Sequence, residues 1–152
     1  MKVRIECDSS VAEEEVIIKC TNFDDNIKKL KEEIENNFKK TKTISFYKDK
    51  KEFYIPLKDI LFFETSSNHI DAHTKDDIYK VKNKLYELDD LLNKNFIKIS
   101  KSAIVNINKI YSITHNITSS SLIDFYNSHK KVYVSRFYLK NLKNNLEERR
   151  NI

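Results

Sequence analysis

Glycine is absent from this chain of 152 residues, and its absence excludes several enzyme classes. Loops that cradle phosphate groups depend on glycine, and so does the sharp turn that presents a nucleophilic serine. The common nucleotide-dependent classes and the hydrolases built on that turn are therefore excluded. Turns that need a left-handed backbone are expected to use asparagine or aspartate, which tolerate this conformation better than other side chains.

Long apolar runs are absent as well. No segment approaches the roughly 18 consecutive apolar residues of a membrane helix, and the Met1 end lacks an apolar run of signal-peptide length. We therefore expect a cytoplasmic protein with no membrane partner. Cysteine is scarce: Cys7 and Cys20 are too few for a metal cluster, and a reducing compartment keeps them unpaired. We predict two half-buried thiols on strands.

Positive charge is concentrated in the later part of the chain. Residues 1–42 hold nine Lys and Arg against ten Asp and Glu, whereas residues 43–152 hold 19 against 13, a net charge of +6. Such an excess suits a nucleic acid or an anionic membrane surface, although many proteins that bind neither carry as much. Charge alone does not decide the function.

The first 42 residues predict a β-β-α extension. Residues 2–7 alternate at period two and residues 15–20 are rich in β-branched side chains, which together predict a hairpin. A helical stripe follows, formed by Phe23, Ile27, Leu30, Ile34 and Phe38. This stripe must pack on something, and both the hairpin and a second copy of the chain are candidates.

Residues 43–152 predict a mainly β domain, so that the chain is α+β overall. Short segments of β-branched and aromatic residues alternate with polar turns. The predicted strands are 43–47, 52–57, 60–64, 69–74, 78–82, 96–100, 110–114, 122–126 and 131–135. Leucine stripes predict helices at 83–94 and 136–150, which would cover a sheet.

The sequence offers no catalytic or metal site. His69 and His73 are four residues apart, which on a strand places them on one face but roughly 13 Å from each other at about 3.3 Å per residue. No pair of carboxylates stands out as general acid and base. We predict a protein that is not an enzyme, with no catalytic residue, no metal and no cofactor.

Basic and hydroxyl-bearing residues cluster where predicted elements end. One cluster follows the strand at 96–100 and consists of Lys98, Ser100, Lys101 and Ser102. The other is Ser135 and Arg136, between the last strand and the last helix. Lysine and serine suit phosphate oxygens, and arginine suits guanine. The alternative is that Ser102 and Ser135 cap helices and Lys98 is an ordinary surface residue. Pattern alone favours that alternative.

Three motifs resemble the LytTR DNA-binding domain of bacterial transcriptional regulators. They are YIPLKDILFFE at residues 54–64, FIKISKSAIVN at 96–106 and VSRFYLK at 134–140. Their order and spacing resemble the family across about residues 43–148. The family commonly has His where Ser100 stands and an aromatic residue where Ala103 stands, so the base preference does not transfer.

The resemblance implies an elongated, mostly β domain that inserts loops into successive major grooves of double-stranded DNA, usually as two copies on a repeated site. It implies a sequence-specific transcriptional regulator that acts as a homodimer and needs no small-molecule cofactor. By position, the base contacts would be Asn68, His69, Lys101 and Arg136. The phosphate contacts would be Lys98, Ser100, Ser102 and Tyr138.

The usual receiver domain of this family is expected to be absent, because residues 1–42 are too short for it. Stand-alone members with a short β-β-α extension resemble this chain more closely, and the extension is a candidate dimerisation element. The main alternative function is a protein-interaction or sensory module with incidental basic charge. A third is RNA binding through sheet aromatics, namely Phe62, Phe63, Tyr79 and Tyr133.

Overall fold

The computed structural model describes residues 3–10, 15–39 and 44–150. By its internal contacts the chain divides into two units, Met1–Phe38 and Lys39–Ile152. The first unit contains one helix, α1 (Asp25–Lys39). Asp24 caps it: its carboxylate accepts the amide of Ile27 at 2.9 Å, and its carbonyl accepts the amide of Lys28 at 3.0 Å. The helix predicted from the apolar stripe is confirmed.

The hairpin predicted before this helix is wrong for the described residues. Residues 3–10 and 15–20 contain no strand, and Cys7 and Cys20 are exposed rather than half-buried. The side chains of Val3 and Ile5 are 85% and 84% exposed. A two-stranded hairpin without an apolar surface to cover it is marginal in water, and local alternation alone does not supply that surface.

The second unit is built around a seven-stranded antiparallel sheet. Its strands are β1 (Phe46–Lys48), β2 (Lys51–Phe53), β3 (Ile60–Ser66), β4 (His69–Thr74), β5 (Ile78–Val81), β6 (Phe96–Ser100) and β7 (Ala103–Asn106), in the order β2-β1-β5-β4-β3-β7-β6. A smaller antiparallel sheet has the order β10-β9-β8, with β8 (Ile110–Thr114), β9 (Ser121–Phe125) and β10 (Lys131–Val134). Helix α2 (Leu85–Leu91) joins β5 to β6, and helix α3 (Arg136–Arg150) follows β10.

Both faces of the large sheet are buried at β7 and along the first half of β3. One face carries Phe62 and Val105 and packs against the inner face of the small sheet and against Leu142 of α3. The other face carries Phe63 and packs against Leu88 of α2 with the residues of a second core. The leucine stripes of α2 and α3 therefore cover the large sheet, as predicted, and the structure places them on opposite sides of it.

The mostly antiparallel β architecture with three helices confirms the predicted fold class. Each strand predicted from residue 43 onward overlaps an observed strand, although residue 43 itself lies outside the described part. One strand was missed: β7 runs through Ala103–Asn106, and all four of its residues are buried. Because a strand between two packed faces has no polar side, it shows no period-two pattern.

Among the described residues of this glycine-free chain, the turns use four left-handed residues: Asp49, Lys50, Ser67 and Asn127. Asp49 and Asn127 follow the expectation that aspartate and asparagine take such positions. Lys50 and Ser67 do not follow it. Each lies in a two-residue hairpin turn, and the turn types that suit such hairpins require a positive φ whatever the residue. Ser67 lies in the turn between β3 and β4, which belongs to the site described next.

Candidate nucleic-acid interface

Three segments that are distant in the sequence meet at one end of the large sheet. The turn between β3 and β4 is bound to the turn between β6 and β7, because the Thr65 amide donates to the Ser102 carbonyl at 2.8 Å. The start of α3 is bound to β6, because the Ser135 amide donates to the Ile99 carbonyl at 2.9 Å. We call residues 67–69, 100–102 and 135–136 together the turn edge.

The β3–β4 turn presents the first pair of predicted base contacts. Asn68 is exposed and His69 is half-buried. The imidazole is held from both sides: Nδ1 lies 3.1 Å from the Asn68 amide oxygen, and Nε2 lies 2.9 Å from a carboxylate oxygen of Asp71. Asp71 was not nominated from the sequence. The available signal was its position two residues after His69, which places both side chains on one face of β4.

Two carboxylates, those of Glu64 and Asp71, lie on the strands beside this turn. Glu64 lies opposite Asp71 in the strand register, and burial raises the pKa of Glu64, with a further contribution from the negative charge of Asp71. The next histidine on this face, His73, stacks on Phe62 with 4.1 Å between ring centroids. Burial, assisted by the charge of Lys130, lowers the pKa of His73 to about 4. His73 is therefore neutral at pH 7, and its 3.8 Å approach to Glu64 is not an ion pair at that pH.

The β6–β7 turn is basic and rich in hydroxyl groups. Lys101 and Ser102 are exposed. The Ser100 hydroxyl oxygen accepts the Ser102 amide at 3.1 Å, and the two hydroxyl oxygens lie 3.2 Å apart. Two hydroxyl groups beside a lysine can donate to the oxygens of one phosphate. Because Ser102 lies in a hairpin turn, the alternative that it caps a helix is wrong.

Strand β6 forms one margin of the large sheet and contains a bulge between Lys98 and Ser100. Ile99 is fully buried in the core, while Lys98 and Ser100 are half-buried. The strand thus holds its position through an apolar side chain and leaves the amine and the hydroxyl group accessible next to the turn edge.

Helix α3 begins at the turn edge. The Ser135 carbonyl accepts the amides of Tyr138 and Leu139, both at 3.1 Å, which places Ser135 at the N-cap position. Arg136 is exposed at the first helical position, and Tyr138 is half-buried against the core. Phe137 lies between them and is 85% exposed, with its ring edge-to-face on Tyr138 at 5.0 Å. The sequence did not nominate Phe137.

The central motif also contains a structural residue. Asn106 is 2% exposed, and its amide group donates to the carbonyl of Ile60 at 2.9 Å. Its side-chain oxygen accepts the amide of Asn108 at 3.1 Å. Asn106 therefore fastens the far end of β7 to the start of β3 and stabilises the sheet from within, away from the turn edge.

Other site classes find little support in the described residues. Phe62 and Phe63 are 2% and 0% exposed, so these two rings of the third alternative cannot stack on RNA bases, whereas Tyr79 is half-buried and Tyr133 is 63% exposed. Within residues 3–10, 15–39 and 44–150, no three His, Cys, Asp or Glu side chains form a group suited to a metal ion. In the same ranges, no helix has the length and hydropathy needed to cross a membrane.

The comparison with known families identifies the family of this chain. Residues 50–147 match the family described as the LytTr DNA-binding domain. A solved LytTr DNA-binding domain from Bacillus cereus is 24% identical in sequence and superposes with a TM-score of 0.62. The match covers 69% of this chain and 97% of the solved chain, and it supports the fold. Because the family match covers more than half of the chain, this protein belongs to the LytTR family.

Curated relatives extend the match beyond that domain. Two of them are named as uncharacterised HTH-type transcriptional regulators of Staphylococcus aureus, from strains NCTC 8325 and COL. Each is 32% identical over 148 residues, which cover 96% of this chain and 98% of the relative. The match therefore includes most of residues 1–42. Their names mention a helix-turn-helix, whereas in the described part of this chain strands separate each helix from the next.

Proposed function

We propose that this protein is a sequence-specific transcriptional regulator that inserts the turn edge into the major groove of double-stranded DNA and binds a repeated site as a homodimer. The observation that carries the proposal is the meeting of three nominated segments at one end of the sheet. Asn68 and His69, Lys101, and Arg136 come from three separate parts of the sequence, and backbone hydrogen bonds hold the segments side by side.

The chemistry of the turn edge suits both parts of DNA recognition. Arg136 can form two parallel hydrogen bonds to guanine, and Asn68 and His69 offer polar groups to base edges. Lys98, Ser100, Ser102 and Tyr138 supply an amine and hydroxyl groups for phosphate oxygens, which position the protein but carry no sequence information.

Enrichment of bound duplexes from a random DNA pool tests this function. A regulator of this kind should enrich a short motif that occurs twice at a fixed spacing. Failure to enrich any motif would instead favour the protein-interaction alternative, in which the basic charge is incidental.

A matched pair of charge variants tests the location. Lys98→Gln combined with Lys101→Gln removes one charge from the turn edge and one from β6 beside it. Lys51→Gln combined with Lys58→Gln removes two from β2 and the turn before β3, at the other end of the strands. We expect the first pair to lower the slope of log affinity against log salt by at least about 1, since the phosphate contact of Lys98 contributes about 0.9. The second pair should leave the slope unchanged, and equal slopes in both variants would contradict the location.

The homodimer part of the proposal rests on α1. Phe23, Ile27, Leu30 and Ile34 follow the spacing of four, three and four residues that is typical of coiled coils. Ile27, Leu30 and Ile34 are half-buried, and Phe23 is 69% exposed. A 15-residue helix is marginal in water by itself, so pairing with α1 of a second copy would stabilise it.

Sedimentation equilibrium of two lysine variants tests the role of α1. Leu30→Lys places a charge in the stripe and should give a monomer that still binds one half-site. Glu32→Lys places the same side chain on the exposed face and should remain a dimer like the unmodified chain. A monomeric unmodified chain, or a dimeric Leu30→Lys variant, would argue against pairing through α1.

A further inference from the structure

Phe137 differs from every other phenylalanine between residues 44 and 150. The other six are buried or half-buried, whereas Phe137 is 85% exposed. Tyrosines that are exposed elsewhere in this unit, such as Tyr111 and Tyr133, keep a hydroxyl group for water. A phenylalanine ring has no such group, so its exposed surface is suited to contact with an apolar part of a ligand.

The ring is also held in place. Tyr138 packs against the core and supports the Phe137 ring edge-to-face at 5.0 Å. The first turn of α3 is anchored twice through Ser135, whose amide binds the Ile99 carbonyl and whose carbonyl accepts the Tyr138 amide. A ring on a fixed helical turn loses little conformational entropy when it binds.

The location limits the ligand. Phe137 directly follows Arg136, and the other side chains of the turn edge are polar or charged. The one apolar group that base edges display in the major groove is the C5-methyl of thymine. A phenylalanine beside a base-contacting arginine is thus suited to that methyl group.

We propose that Phe137 determines specificity by packing on the 5-methyl group of a thymine adjacent to the base that Arg136 contacts. This inference rests on the proposed function and extends it to one further base position. Arg136 would select by hydrogen bonds, and Phe137 would select the neighbouring base by burial of a methyl group.

Replacement of thymine by deoxyuridine isolates this contact, because the two bases differ only in the methyl group. In the enriched duplex, each thymine is replaced singly and affinity is measured for the full chain. Loss of one buried methyl group should weaken binding about four-fold at one thymine in each half-site. In Phe137→Ala the same replacement should have no effect, whereas Phe137→Leu should keep part of it.

Tyr54→Ala provides the matched control, since Tyr54 is 90% exposed and follows β2, which forms the opposite margin of the large sheet from β6. It should respond to deoxyuridine like the unmodified chain. Equal responses of Phe137→Ala and the unmodified chain at every thymine, or no response in either, would overturn the role of Phe137 while the enriched motif still stands. Absence of any enriched motif would overturn the proposed function itself.

Discussion

The two hairpin turns at the turn edge are neighbours with opposite electrostatic surroundings. The β3–β4 turn holds His69 between Asn68 and Asp71, with Glu64 opposite Asp71. The β6–β7 turn holds Lys101 between two serine hydroxyl groups, and Lys98 lies just before it on β6. A single backbone hydrogen bond, from Thr65 to Ser102, joins them.

This difference suggests a division of work. Affinity for DNA depends mainly on positive charge near the phosphates, and the β6–β7 turn with the start of α3 carries that charge. Carboxylates beside the β3–β4 turn repel phosphates, so this turn adds little general affinity. Its value would lie in selecting a base with an imidazole whose orientation Asp71 fixes.

The largest expected effect concerns the stability of the β3–β4 side. The pKa of His73 is about 4 in the folded chain and 6.5 without the fold, so between these values the unfolded state binds the extra proton. Stability from neutral His73 is complete above pH 6.5 and is lost as the pH falls towards 4. Urea unfolding at pH 4.5 and pH 7 should therefore differ by about 2–3 kcal/mol from this residue.

His73→Phe is the control for that prediction, because it keeps an aromatic ring against Phe62 and removes the titrating group. The raised pKa of Glu64 acts in the reverse direction and is present in both chains. The difference between the two pH profiles therefore isolates His73. Parallel profiles would show that His73 does not titrate in this way.

The next effect concerns Arg136. Arg136→Ala should weaken binding to the enriched site by about 1–3 kcal/mol and relax the preference at one base position. Arg136→Lys retains the charge without the planar fork, so it should recover general affinity but little of the preference. Competition between the motif and its single-base variants measures both. An unchanged preference in Arg136→Ala would remove its assignment as a base contact.

A smaller effect is expected for Lys98 of β6, which contacts phosphate and not a base in the proposed complex. Lys98→Ala should weaken binding to all sequences alike and lower the salt slope by about 1. Titration of salt with specific and random duplexes measures the slope. A change in base preference would mean that Lys98 belongs with the base contacts.

The smallest effect concerns the carboxylates. Asp71→Asn and Glu64→Gln each remove one negative charge near the DNA, and each should raise affinity for all sequences by less than about 1 kcal/mol, as for other charges near a protein surface. Only Asp71→Asn also loosens His69, so only this variant should reduce selectivity at one base. Equal selectivity in the two variants would show that Asp71 does not position His69.

Sequence patterns predicted the fold best where one face of an element is buried. Strand β4 and helix α3 have the predicted bounds, since alternation and a leucine stripe reflect a single covered face. The patterns missed β7, because both of its faces are buried, and they predicted an N-terminal hairpin that no sheet supports in the described residues.

For the site, the family resemblance identified the expected DNA contacts but not the residues that surround them in the fold. The approach of Thr65 to Ser102 depends on the pairing of β3 with β7, which are about forty residues apart in the chain. Two residues of the site could have been noticed from the local sequence. Asp71 stands two positions after His69 on the same strand, and Phe137 lies inside the motif at residues 134–140. Their exposure and contacts, however, depend on the folded sheet.

Strand β6 has a second consequence, which concerns solubility. The outermost strand of a sheet offers unpaired backbone groups to which another chain can add, and this is a common route to aggregation. In β6 the bulge disturbs the regular ladder, the Ser135 amide occupies the Ile99 carbonyl, and Lys98 adds a charge. The features that would let this strand lie against DNA also discourage self-association by strand addition.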